Sequence, residues 1–142
     1  MAANPGELIL RVDGGSRGNP GPAGYGVVVS DAAGDVLDRL HGSVGVQTNN
    51  YAEYCGLLAA LRYARQRGVE RVRVYADSQL LVRQMQGLYA VKSVNLRPLF
   101  EQAQQLRREF VVFSIMHVYR EHNREADRLA NLAMDAAAAR ER

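Results

Sequence analysis

The chain has 142 residues, 47% of them hydrophobic and 23% charged, with a net charge of +3 and a pI near 9.3. That length suits one domain with a real core, the balance disfavours disorder, and no apolar run approaches the ~20 residues of a membrane span. A single cysteine, Cys55, excludes an internal disulfide and a zinc cage built on several thiolates, and the mildly basic charge permits a polyanionic partner without demanding one.

MAANPGEL, at the start, has neither the basic nor the apolar block of a secretory signal, so a cytoplasmic protein is expected. ELILRVD (7–13) alternates, with Leu8, Leu10 and Val12 on one face, and predicts a strand. The stretch VDGGSRGNPGPAGYG (12–26) holds six glycines and two prolines. Gly21, Pro22 and Gly24 are expected to turn the chain into a second strand over 25–31. A hairpin at 32–34 leads to a third strand over 35–44.

From Asn50 to Arg67 the period becomes helical, with Glu53, Leu57, Ala60, Leu61 and Ala64 on one face and Gly68 as the stop. RVRVYAD (71–77) predicts a strand, and Ser78 the cap of a short helix carrying Leu81, Met85 and Leu88 inward. A helix over 95–109 follows. FVVFSIM (110–116), continuously apolar, reads as a strand buried on both faces. The last helix begins near Asn123 and frays into AAAARER. The expected fold is one α/β domain over 1–142: a mixed sheet, three leading antiparallel strands and two later parallel ones, flanked by helices.

Asp13 and Asp77 close two strands that would be parallel neighbours, which brings both carboxylates to the sheet edge where open α/β sheets place their sites. Glu53 and Asp127 are each read in the first turn of a helix, where dipole complementation is the plain alternative. Several carboxylates crowded together repel unless a cation neutralises them, and a hard divalent ion, Mg²⁺ or Mn²⁺, suits oxygen ligands. Two such ions about 4 Å apart would clamp the attacking and leaving oxygens of a phosphodiester displacement. No P-loop pattern is present.

With those residues in view, the chain resembles the type 1 ribonuclease H family from about Leu8 to Asp135. DGGSRGNPGPAGYG resembles the family's first motif, TNNYAEY (48–54) its second, ADSQLLV (76–82) its third and REHNREADRLAN (120–131) its last, in family order and spacing. The resemblance implies a five-stranded ribonuclease H-like sheet and endonucleolytic hydrolysis of the RNA strand of an RNA/DNA hybrid, leaving 5′-phosphate and 3′-hydroxyl ends. It also implies a metal-binding catalytic quartet at Asp13, Glu53, Asp77 and Asp127, holding two Mg²⁺ ions. Asn19, Asn49, Asn50 and Gln79 match residues that contact the hybrid, and Ser16 and Arg17 share their loop. Gly14, Gly15 and Gly18 would lay backbone against the groove, whose wide, shallow form suits readers of shape. Asn49 and Asn50 could equally cap the helix they precede.

Two departures from the family pattern matter. The loop that presents a histidine in many members is compressed here, which leaves His122, Arg120 or Glu121 as alternatives for its role; His117 reads as structural. The stretch QGLYAVKSVNL (86–96) lacks the lysine- and tryptophan-rich handle of some relatives, so Lys92 and the arginines must supply the phosphate attraction. A monomer without membrane attachment is expected. Rival readings are an integrase- or resolvase-like phosphotransferase on the same fold, a non-catalytic hybrid-binding module, and one domain of a longer polypeptide.

Overall fold

A computed structural model describes residues 6–140, so part of the N-terminal segment read for targeting lies outside the described residues. In chain order the elements are β1 (Glu7–Ser16), β2 (Gly21–Asp31), β3 (Val36–Gln47), α1 (Asn49–Gln66), β4 (Arg71–Ala76), α2 (Gln79–Met85), α3 (Arg97–Arg107), β5 (Val112–His117) and α4 (Arg124–Arg140). A 3-10 turn over Arg120–His122 leads into α4. The sheet order is β3-β2-β1-β4-β5; β2 is antiparallel to both its neighbours, and β1, β4 and β5 are parallel. This is the mixed sheet that the sequence predicts.

Alternation decides which side chains enter the core. Leu8, Leu10 and Val12 of β1 and Val72, Val74 and Ala76 of β4 face the helix layer that contains Leu57, Leu61 and Ala64 of α1. The opposite face is covered only in part. There α4 packs on β2, β3 and β1, where Val28 meets Ala126 and Leu129. Small residues let it come close: a Cβ on Gly24 would stand 2.4 Å from the Ala133 Cβ, and one on Gly26 2.4 Å from the Ala126 carbonyl oxygen.

That partial cover corrects the reading of the last strand. β5 is an edge strand, with Val112 49% and Met116 51% exposed, because α4 sits over the other half of the sheet. Only its inward residues Phe113 and Ile115 join the core. The run is continuously apolar because Phe110, Phe113 and Ile115 meet the core while Val111, Val112 and Met116 leave apolar side chains exposed.

The glycine-rich stretch is also rearranged. Gly21, Pro22 and Gly24 lie within β2, paired to β3, and the turn falls earlier, at 17–20, closed by the Arg17 amide on the Pro22 carbonyl at 2.8 Å. Gly18 supplies its left-handed position, φ +92°. Leu88 lies past the end of α2 and is 68% exposed, whereas Leu81 and Met85 point inward as expected. α4 remains helical through the alanines to Arg140 rather than fraying among them.

Candidate active site

The parallel ladder of β1 and β4 ends at the pair Val12–Ala76, so Asp13 and Asp77 are the first residues beyond it, side by side at the same sheet edge. α1 and α4, on opposite faces, bring Glu53 and Asp127 to that edge. All four carboxylates line one cleft of about 700 Å³. The sequence reading of Glu53 needs one correction. Thr48 caps α1, its hydroxyl accepting from the Tyr51 amide at 3.2 Å, so the helix starts at Asn49 and Glu53 falls beyond its first turn. Dipole complementation therefore does not explain this acid, and neither asparagine is the cap. Asp127 does lie in the first turn of α4.

Three of the four are withdrawn from water. Asp13 is 7% exposed, and its Oδ1 accepts from the Gly14 amide at 2.9 Å. Burial, then the charge of Asp77 and contact with Asp127, push the Asp13 carboxyl up to about 9. Glu53 is raised to about 7, mainly by burial; the Ser78 side chain beside it lowers it, Asp77 raises it and Arg120 lowers it. Oε2 of Glu53 and Oδ2 of Asp77 are buried with no hydrogen-bond partner. Arg120, from the 3-10 turn, places its Nε 4.0 Å from Asp77 Oδ2, too far to satisfy that oxygen.

One rim of the cleft is a polar platform. Asn49 Oδ1 accepts from the Ser16 amide at 2.8 Å and from the Ser16 hydroxyl at 3.0 Å. The Asn49 amide in turn donates to Asn19 Oδ1 at 3.0 Å. With its side-chain oxygen committed, Asn49 keeps an NH₂ donor for a ligand. Ser16, Arg17, Asn49 and Asn50 border the cleft, and Arg17 also pairs with Asp135 of α4 at 2.8 Å.

Not every expected residue stands at the cleft. Gln79, the first residue of α2, borders the adjoining groove between α2 and β5. Asn19 reaches the site through Asn49. His122 is exposed in the 3-10 turn and is not among the residues that line the cleft. His117 is: it ends β5, stacks edge-on to Tyr119 at 5.3 Å and borders both the cleft and the groove. Ser78, Tyr119, Asn131 and Met134 are further wall residues that the sequence analysis did not single out as site residues. Asn131 could have been found, since it lies one helical turn after Asp127, whose carbonyl its side chain bonds at 2.8 Å.

The glycines divide by their surroundings. A Cβ on Gly14 would stand 2.5 Å from the Ala52 carbonyl carbon and 2.6 Å from the Glu53 nitrogen, so this glycine admits α1 rather than a ligand. Gly15 lines the cleft, where a Cβ would meet the tip of Met134 at 3.3 Å and Asn49 Oδ1 at 3.7 Å.

Comparison with known proteins agrees with this architecture. The family model described as Reverse transcriptase-like matches residues 11–133. The bifunctional protein Rv2228c of Mycobacterium tuberculosis is 48% identical over 133 residues, 93% of this chain; the chain spans only 36% of that protein's length. RNase H1 from the archaeon Halobacterium salinarum superimposes with a TM-score of 0.88 at 39% identity, over 92% of this chain and 99% of that one. LC11-RNase H1, solved in complex with an RNA/DNA hybrid, gives 0.87 at 42% identity over the same shares. Matches of this identity, extending along nearly the whole chain and joined to a sheet edge that gathers the acidic residues of all four motifs, place the protein in the type 1 ribonuclease H family.

Proposed function

We propose that this chain hydrolyses the RNA strand of RNA/DNA hybrids endonucleolytically, leaving 5′-phosphate and 3′-hydroxyl ends. The observation that carries the reading is the convergence of Asp13 of β1, Glu53 of α1, Asp77 just past β4 and Asp127 of α4 on one open cleft beside a platform of amide and hydroxyl groups. The similarity to LC11-RNase H1, whose structure contains such a hybrid, supports the choice of substrate.

The donor set fits divalent cations. Two buried carboxylate oxygens lack partners, and a carboxyl held as high as that of Asp13 belongs to a site short of positive charge. Among the described residues no three acidic, histidine or cysteine side chains form a ready-made cage. Mg²⁺ keeps several waters and shares its shell with substrate phosphates, so it needs only a few carboxylate oxygens from the protein. Asp13, Glu53, Asp77 and Asp127 would hold two Mg²⁺ ions, with Mn²⁺ as substitute. Such ions, when bound, supply charge to the attacking and leaving oxygens.

The protein's own groups do the rest. Ser16, Asn49 and Asn50 orient the strands by contacts on a wide groove, with Gly15 leaving room for the backbone and Gln79 bordering the neighbouring groove. Asn19 holds Asn49 in place. Arg17 and Arg120 flank the cleft and offer charge to phosphate oxygens. His117 and Arg120 line the cleft and His122 does not, so His117 is the imidazole placed to move a proton there and Arg120 supplies charge. Action as a monomeric catalytic domain in the cytoplasm is part of this proposal; among the described residues no helix is long and apolar enough to cross a membrane.

The test is cleavage of a labelled RNA/DNA hybrid with and without Mg²⁺, beside Asp13→Asn, Asp77→Asn and an all-DNA duplex. The expected result is Mg²⁺-dependent cutting of the RNA strand alone, reduced at least about 10²–10³-fold in each variant, the scale of losing one group that stabilises a transition state. Cutting at near the parental rate in either variant, or without metal, would overturn the mechanism; cutting of the DNA duplex would overturn the substrate.

A further inference from the structure

The linker between β5 and α4 closes both carboxylate-bearing strands. Beyond the last β1–β4 pair, the Val118 amide donates to the Ala76 carbonyl at 2.9 Å, next to Asp77. The Asn123 side-chain NH₂ donates to the Val12 carbonyl at 2.8 Å, next to Asp13. The first of these bonds is ordinary continuation of backbone pairing. The second is made by a side chain that is 1% exposed, one of the few polar groups in the interior.

Asn123 stands immediately before α4, where asparagine ordinarily caps a helix by accepting a backbone amide on its Oδ1. Here it does not: Oδ1 is buried without a partner, and the amide end is spent on β1 instead. Its backbone does further tying. The Asn123 amide donates to the Arg120 carbonyl at 2.9 Å, and its carbonyl accepts from the Asp127 amide at 3.0 Å. One residue therefore joins the strand end that carries Asp13, the turn that carries Arg120 and the helical turn that carries Asp127. A buried polar group left half satisfied is costly, and a helix cap alone would not need this arrangement.

We infer that Asn123 is a positioning residue for the reaction, fixing Asp127 and Arg120 relative to Asp13 through the Val12 carbonyl. It touches no substrate; it sets the spacing between the carboxylate at the sheet edge and the one on the helix packed over that sheet. The inference rests on the proposed two-metal hydrolysis. Carboxylates that share ions must be held to fractions of an ångström, and residues that only orient such ligands typically carry about 10–100-fold in metal affinity or activity.

Two variants test it: Asn123→Ala, which deletes the bond, and Asn123→Ser, a gentler change that keeps a capping hydroxyl but not the reach to Val12. Leu106→Ala, a core deletion in α3 remote from the cleft, controls for lost stability. Both Asn123 variants are expected to lose about 10–100-fold in kcat on the hybrid, with KM within about twofold of the parent. Mn²⁺ binding, followed by calorimetry without substrate, should weaken over the same range. Leu106→Ala should lower Tm and leave kcat and Mn²⁺ affinity at the parental level below its melting range.

Asn123 variants with parental kcat and Mn²⁺ affinity would overturn the inference while leaving the proposed hydrolysis intact. Losses equal to those of Leu106→Ala at matched stability would also overturn it, showing a structural role only. A parent chain that binds Mn²⁺ but cleaves no hybrid would remove the proposed substrate; weakened Mn²⁺ binding by the Asn123 variants would then still support the positioning role.

Discussion

Two adjacent glycines in the first motif have different reasons to be glycine. Gly14 lies under the backbone of α1, with no room for a methyl group, whereas Gly15 faces the cleft across from the flexible end of Met134. Gly14→Ala should cost at least about 1–3 kcal/mol, the range for overpacking, because the atoms it strikes are backbone. Gly15→Val adds a strand-compatible side chain against the flexible tip of Met134 and beside Asn49 of the platform, so it should weaken hybrid binding more than folding. Denaturant melts and hybrid titrations of the two variants check this; similar stability losses in both would contradict it. The sequence marked both residues as special and assigned them the same task. It could not separate them, because what lies within 3 Å of an absent Cβ is a tertiary fact.

At the level of elements, α4 is the part on which the site depends most. It reaches the sheet through Ala126, Leu129, Ala130 and Ala133, set against Gly24 and Gly26 of β2. Gly26 is paired across the ladder with Asp13, so one of the close approaches of α4 to the sheet occurs beside the site. A Cβ at Gly26 would meet the Ala126 carbonyl at 2.4 Å and Leu129 Cβ at 2.6 Å. Gly26→Ala should therefore lift α4, destabilise the fold by about 1–3 kcal/mol, and lower kcat on the hybrid beyond what the stability loss explains. Parental kcat in the folded variant would show that Asp127 does not depend on this contact. The apolar stripe of α4 was legible from its 3.6-residue period. Its partners were not, since glycines carry no pattern that says which helix will cover them. The same limit misplaced β5: an apolar run fixes a strand, but whether it lies at the centre or edge depends on where α4 sits.

Across the whole molecule, the positive charge is spread rather than focused. The excess is only +3, and the arginines that line the cleft are Arg17 and Arg120. Others are occupied elsewhere: Arg65 with Glu109, Arg71 and Arg73 with Glu7, Arg39 and Arg128 with Glu125. Residues 86–96, between α2 and α3, form turns without a helix and contribute a single lysine. Hybrid affinity should therefore fall by less than the ~10³-fold expected between 50 and 200 mM salt for a protein with 6–10 phosphate contacts. A salt titration of binding checks this, and a steeper loss would point to a phosphate-binding surface beyond the cleft.

The sequence by itself determined the elements, the mixed sheet and the four acidic residues. Local period, turn chemistry and the rule for parallel crossovers suffice to bring Asp13 and Asp77 to one edge. The resemblance of TNNYAEY and REHNREADRLAN to the family's second and last motifs supplied Glu53 and Asp127. Only the tertiary structure decided that His117 rather than His122 borders the cleft, that Asn19 bonds Asn49 at its rim, and that Asn123 ties Val12 to α4. These are contacts between residues 30 and 111 positions apart, or consequences of the path of a short linker. Periodicity reports how a segment meets a core. It does not report which polar atom of one segment will reach the backbone of another, because that depends on packing distances fixed only when the helices close on the sheet.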